Sequence, residues 1–318
     1  MSQTLLVPIH VDALCLAQEQ QALRAMADYS KLPYIYQGTH GTGQENLSEQ
    51  ILAPLFNQEF TLKAGIHLHL SLPDALTSGK HDETGTTFPR VPNRWLILRQ
   101  GGERGQKQWI IESDYLYPEL EKDDNSPPPD AINILIEPPD LATVNPDDEN
   151  TYQYQRYRYM GRTWELTQWL LETETKEYAE SLTAIGTKET VPIFDEVKAT
   201  FAAFYPNCHS VFGFYDPDYP SKNPPTGLQY DVIGWYSDEE QDYLQQFLAE
   251  HSGDNQELLE ILAEEFNWNI ELGEGEELPQ RSLYHGRITF GDTGASRSAI
   301  ERVKSLSQPT IAVANSAP

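Results

Sequence analysis

The strongest constraint on this chain is a kind of run that keeps returning: short, rich in β-branched and aromatic residues, and bounded by turn-forming sequence. Residues 5–11, 65–72, 94–100, 108–116, 132–138, 211–216, 230–237 and 282–290 are of this kind. Such runs predict strands. The runs RWLILRQ (94–100) and QWIIESDYL (108–116) flank GGERGQK, whose glycines suit a hairpin with a loop longer than the tightest turns.

Helical periodicity is rarer. It predicts helices over 47–56, opened by Ser48, and over 163–178, where Trp164, Leu166, Trp169 and Leu170 carry the pattern. A third helix is expected over 193–204, through Ile193, Val197, Phe201 and Phe204. Segments 239–251 and 255–266 form a helical pair, with Asp254 or Asn255 placed to cap the second. Acidic, Pro-rich sequence at 118–131, and again at 137–150, reads as exposed connection. Neither stretch divides the chain, because strand-like sequence of the same character resumes beyond it. The expectation is one β-rich α+β unit over 1–290, mostly antiparallel, with a few peripheral helices, the acidic Pro-rich loop 118–131 and a helical insertion near 237–270. Residues 291–318 form a C-terminal extension. Its last part, TIAVANSAP, reads as a strand start and as a lead into a further region.

With 39 % hydrophobic residues, 17 Tyr and 6 Trp, a 318-residue chain has ample core. Its net charge of −27, from 49 acidic and 22 basic side chains, argues against nucleic acid and against an anionic membrane surface. Two separated cysteines, Cys15 and Cys208, make no disulfide framework and read as reduced thiols of a cytoplasmic protein. No run approaches the length of a membrane span, so direct insertion is not expected, and any membrane association would come through partners.

Two patterns bear on metal chemistry. In GIHLHLSL, His67 and His69 stand two apart on a strand and share a face. In VPIHVDAL, His10 and Asp12 stand in the same relation. Zinc takes three or four His, Cys, Asp or Glu ligands, and Asp12, Asp74 or Cys208 would extend the pair. The alternation favours a structural reading. Ile66, Leu68, Leu70 and Leu72 should face the core, while His67, His69 and Ser71 face a more polar layer, with partners supplied by His10 and Asp12 on a neighbouring strand. No metal or other cofactor is therefore expected.

Other chemistry has less support. Cys208 and His209 are chain neighbours that a strand would turn to opposite faces, and there is no GxSxG nucleophile elbow. The GTHGTG stretch at 38–43 lacks the phosphate-loop pattern. Trp95, Trp109 and Trp235 would be the platform of a carbohydrate- or peptide-binding module, but alternation places them in the core.

The most unusual surface candidate is YQYQRYRYMGRTW (152–164). Tyr152, Tyr154, Tyr157 and Tyr159 interleave with Arg156, Arg158 and Arg162, the main basic patch of an acidic chain. Tyr and Arg are favoured in protein interfaces. The alternative is a strand whose tyrosines pack while its arginines pair with nearby carboxylates.

The phrases VPIHVDAL, GIHLHLSLPDALT, FPRVPNRWLILR, WIIESDYLYP, FYPNCHSVFGFYD, DVIGWYSD and LYHGRITF resemble the front part of large uncharacterised bacterial proteins of cyanobacteria and actinobacteria, associated with phage-tail-like contractile injection systems. The resemblance implies a structural role at a baseplate or its periphery, with other protein subunits as partners. It carries no catalytic motif. With no complete catalytic constellation in the sequence, a non-enzymatic interaction protein is the leading expectation. The rival is a metal-dependent enzyme or metal-stabilised domain built on His67 and His69.

Overall fold

The computed structural model describes residues 4–23, 34–36, 39–41, 59–82, 85–118, 132–137, 156–173, 175–187, 202, 205, 208–266, 268, 270–272, 277–291 and 311–314. It is a β-rich α+β fold whose core lies on a nine-stranded and a three-stranded sheet, with four two-stranded sheets besides.

The larger sheet uses β1 (Thr4–Pro8), β4 (Arg94–Gln100), β5 (Lys107–Leu116), β6 (Ile132–Glu137), β7 (Arg156–Glu165), β9 (Gln229–Trp235), β10 (Ile270–Glu271), β11 (Arg281–Thr289) and β12 (Ile311–Ala314). The smaller uses β2 (His10–Leu16), β3 (Gly65–Ser71) and β8 (Gly213–Asp216). The large sheet runs β6-β7-β5-β4-β9-β11-β1-β12-β10, and the small one β8-β3-β2. Pairing is antiparallel except between β1 and β11 and between β10 and β12. The run 5–11, expected as one strand, belongs to both sheets: it leaves the large sheet after Pro8 and enters the small one at His10, while Ile9 N–H still donates to the His285 carbonyl. The expected hairpin 94–116 forms as β4 and β5, with Trp95 opposite Ile111. The segment expected as an isolated strand start at the end of the chain, Ile311–Ala314, lies between β1 and β10.

The core lies between the sheets. Ile66, Leu68 and Leu70 of β3 are fully buried, and burying each stabilises the fold by about 1.5–3 kcal/mol. They share one cluster with Trp95, Ile97 and Ile111 of the large sheet and with Phe212 and Phe214. The Trp95 ring stands edge-on to Phe212 and covers Gly234, its neighbour on β9. A Cβ at Gly234 would lie 2.2 Å from that ring, so the residue opposite Trp95 has to be glycine. At the far end of this layer Arg99 is sealed between Asp216 (2.8 Å) and Asp218 (2.7 Å), and the Tyr230 hydroxyl also donates to Asp216 (2.7 Å).

Four α-helices and one 3-10 helix (Glu239–Gln241) are described. Short α1 (Asp74–Thr77) follows β3, and α2 (Leu166–Leu171) continues from β7. Helices α3 (Tyr243–Glu250) and α4 (Asn255–Phe266) lie between β9 and β11 in sequence, where a helical pair was expected. Asp254 is the cap of α4, its Oδ1 accepting from Gln256 and Glu257 N–H. The expected helix 163–178 is corrected. Residues 163–165 remain strand, helix covers only six residues, and Tyr178 forms a bridge to Tyr115. The reason is pairing: Trp164 sits opposite Ile110 and Arg162 opposite Glu112, and these buried partners outweigh the helical spacing of Trp164, Trp169 and Leu170. The expected helices 47–56 and 193–204, and the loops 119–131 and 138–150, fall on residues outside those described, Ala202 excepted.

Candidate functional site

Three places gather the chemistry-bearing side chains: the outer face of the small sheet, the β5–β7 end of the large sheet, and a cleft between the two.

On the small sheet, register puts Asp12 opposite His69 and His10 opposite Ser71. Strand alternation then collects His10, Asp12, His67, His69 and Ser71 on the face away from the aliphatic core. The two imidazoles of the HxH pair part company. His67 is 2 % exposed, with the Tyr205 hydroxyl at 2.6 Å from Nδ1 and the Lys63 carbonyl at 2.8 Å from Nε2, and it stacks on Tyr215. His69 reaches the Ala202 carbonyl through Nε2 at 2.8 Å, leaving Nδ1 toward Ser71 and Asp12. Burial lowers the His69 pKa, so it is a neutral imidazole near pH 7. Among the described residues no group of three or more His, Cys, Asp or Glu side chains is placed to hold a metal ion. Asp74 starts α1, and Cys208 is fully buried, its thiol pushed up by desolvation. Neither joins the histidines.

At the β5–β7 end, the tyrosine–arginine strip divides. Tyr152 and Tyr154 lie outside the described residues. Arg156, Tyr157, Arg158 and Tyr159 are in β7 beside the edge strand β6. Arg162 is 8 % exposed and bound inside the fold: its Nε and Nη2 donate to Glu112 Oε2 at 3.0 and 2.5 Å. The Tyr178 hydroxyl donates to the other oxygen at 2.7 Å, with Lys176 at 3.4 Å. Arg162 is thus a structural cation rather than a member of an exposed strip. Gly161 before it has φ +86°, and a Cβ there would lie 2.7 Å from the Ser210 carbonyl oxygen. That close approach brings the 208–212 segment over β5, where the Ser113 hydroxyl donates to the Val211 carbonyl at 2.6 Å. Beyond β7, helix α2 leaves Leu170 and Leu171 66 % and 80 % exposed.

The cleft, of about 320 Å³, lies between these places. Trp109, Thr163, Trp164 and Glu165 come from β5 and β7, Gln168 from α2, and Tyr205, His209 and Tyr215 from the segments around β8. Its geometry is fixed from behind: Trp109 packs on Phe214, Tyr205 on His209, and the Thr163 and Ser210 hydroxyls meet at 3.1 Å. Glu165 holds Lys107 at 3.1 Å. Aromatic walls with a carboxylate, an amide, an imidazole and hydroxyls can hold a small polar ligand. Of the tryptophans considered as a platform, Trp95 is in the core, Trp235 is half-buried, and Trp109 is 8 % exposed at the cleft wall. Trp164 joins Trp109 at the cleft, on β7 rather than in the helix its spacing predicts.

The chain matches no protein-family profile, no curated protein and no solved structure.

Proposed function

We propose that this protein is a non-enzymatic interaction component of a large protein assembly, the role implied by its resemblance to the front part of proteins associated with phage-tail-like contractile injection systems. The supporting observation is the exposed Leu170–Leu171 pair on α2, at the end of the strand that carries Arg156 and Arg158. Two adjacent leucines open to water beyond one end of β7, with Arg156 and Arg158 at its other end, offer two contact points on an acidic molecule. The reactive groups fit the same reading. The Cys208 thiol is sealed, and Glu112, Asp216 and His67 are each committed to bonds inside the fold.

The test is incorporation into tail-like particles. L170S/L171S and R156A/R158A proteins, folded by circular dichroism, should be depleted from purified particles relative to the unaltered protein. Normal incorporation of both variants rules out this surface as the contact. A particle assembled identically without the chain rules out the role. The cleft favours a second reading, a carbohydrate- or peptide-binding module. Oligosaccharide or peptide titrations that quench tryptophan fluorescence in the unaltered protein but not in W164A would support it.

A further inference from the structure

The aromatic wall of the cleft is held in place from within the fold. The Arg162 guanidinium lies 3.6 Å from the centre of the Tyr115 ring and 4.4 Å from that of Trp164, and Glu112 pins it there. Trp164 is one plate of that stack and lines the cleft with Trp109, which packs on Phe214. At the same cleft Ser210 has φ +49°, a left-handed conformation taken by no other non-glycine residue among those described. Such strain persists where the surroundings over-determine it, and it gathers at ligand sites. Here the close approach of Gly161 and the Thr163 hydroxyl hold Ser210 where it is. The cleft, of about 320 Å³, stands at the small end of ligand pockets, which run from about 300 to 1,000 Å³.

The lining disfavours a charged ligand. Its carboxylate, Glu165, already holds Lys107 through Oε1 at 3.1 Å. Protein cations also stand on its tryptophans. Lys107 Nζ is 5.5 Å and the Arg99 guanidinium 5.3 Å from the Trp109 ring centre, and Arg162 lies on Trp164. A cationic ligand would meet those charges on the rings it needs. An anion would be opposed by Glu165 and by the net charge of −27. The polar groups left over are mixed. Glu165 Oε2 accepts, and the exposed Gln168 amide donates and accepts. The Ser210 hydroxyl accepts from Thr163, which leaves its own proton to donate. Aromatic surface beside mixed donors and acceptors matches a sugar ring, with C–H groups on its faces and hydroxyls around its rim.

We propose that the cleft binds one uncharged pyranose residue, its C–H face against the tryptophan wall and its hydroxyls on Glu165, Gln168 and Ser210. The inference rests on the second reading above, a carbohydrate- or peptide-binding cleft, and narrows it to one ligand class. Trp164 is the platform, because Trp109 is only 8 % exposed and offers little of its face. Binding of a single residue is weak, since few polar groups in the cleft are uncommitted. It is selective, because the stack behind Trp164 is formed before the ligand arrives.

The experiment is saturation-transfer NMR on the full chain, titrated with the methyl pyranosides of glucose, galactose, mannose and N-acetylglucosamine. Methyl glucuronide supplies an anion, methyl glucosaminide at mildly acid pH a cation, and N-acetyl-trialanine amide a peptide. The expected result is saturable binding of a neutral glycoside, with transfer strongest at the C–H groups of one ring face, and no binding of the charged analogues. Q168A alters an exposed side chain and should weaken binding about threefold to tenfold, the loss of one hydrogen bond. W164F, folded by circular dichroism, should weaken it as well, and the exposed variant K222A should not. Failure of every neutral glycoside to bind overturns the proposal. If the peptide then binds and W164F weakens it, the cleft reading stands without the sugar. If the peptide fails too, both fall. A charged analogue bound as tightly as the neutral ones overturns the proposal, and so does glycoside binding undiminished in both Q168A and W164F.

Discussion

Glu112 and Asp242 are carboxylates in different regions of the molecule, 1 % and 2 % exposed, and burial acts on them with opposite results. Glu112, on the outer face of β5, meets Arg162 and Lys176 as well as the Tyr178 hydroxyl. Asp242, at the junction of α3 with β11, accepts only neutral donors: Leu244 N–H at 2.9 Å, Ser282 N–H at 2.7 Å and the Ser282 hydroxyl at 2.9 Å. Desolvation alone would raise both pKa values. At Glu112 it is outweighed by the bonds from Tyr178 and Arg162, and the carboxyl lies below its ordinary range. At Asp242 desolvation wins, and the carboxyl lies above it. At Asp242 the neutral donors do not offset desolvation, whereas at Glu112 the Tyr178 hydroxyl and the Arg162 charge together do.

The largest effect should come from taking the countercharge away. R162M leaves Glu112 buried with its principal cation gone, and breaking one side of such a pair costs about 3–5 kcal/mol. Guanidinium unfolding should show this loss, while R162M/E112Q should recover a substantial part of it. If the double variant is no more stable than R162M, Glu112 was not the charge being compensated. S282A tests the other region. It removes one of the neutral donors to a carboxylate, for which about 1.5–3 kcal/mol is the expected scale. A loss equal to that of R162M would erase the distinction between countercharge and dipole.

Acid should then separate the two regions by sign. The folded-state pKa of Glu112 is depressed below its reference value of 4.5, so the unfolded chain takes up the proton first as pH falls. Its contribution is present above pH 4.5 and is lost as pH falls through the folded value. The pKa of Asp242 is raised above 3.8, so there the folded state takes up the proton first. Its contribution grows as pH falls from the folded value toward 3.8. Urea midpoints between pH 7 and 3.5 should show the stability gap between unaltered protein and E112Q narrowing with acid, and the gap to D242N widening. Gaps moving in the same direction would mean that one of the two assignments is wrong.

How far the sequence revealed these regions depends on what each contact needs. Strand positions were legible because alternation is local: Ile66, Leu68 and Leu70 went to the core and the histidines to the other face as their spacing required. The helical pair and its Asp254 cap were legible for the same reason. The run 163–178 was not, because Trp164 and Trp169 fit a helical period, and only pairing with Glu112 and Ile110 on a distant strand shows that the first of them belongs to β7. Arg162 was grouped with an exposed strip for want of that partner. One signal was present: QWIIESDYL holds Glu112 and Asp114 inside a run that reads as strand, and a carboxylate buried there needs a cation from elsewhere. The cleft had no such signal, since its walls come from four separate stretches of chain.

The smallest effect sharpens the comparison from the solvent side. Arg281, at the start of β11, pairs with Glu239 at 2.8 Å, close in sequence to Ser282 and Asp242. The pair has the opposite charges that Asp242 lacks, but its side chains are 40 % and 63 % exposed. Water already solvates both ends, and salt screens what attraction remains. Holding two long side chains in one geometry also costs rotamer entropy. E239Q should therefore change stability by less than about 1 kcal/mol, and the difference should vanish in 1 M salt. R162M should keep most of its loss under the same conditions, because its site is closed to mobile ions. Guanidinium chloride is itself a salt and would screen the exposed pair throughout, so urea unfolding at low and high sodium chloride is the measurement. If E239Q costs as much as S282A, opposite charge alone sets the strength of these contacts. If it costs little, burial and countercharge act together, as they do at Glu112 and at Asp216 beside Arg99.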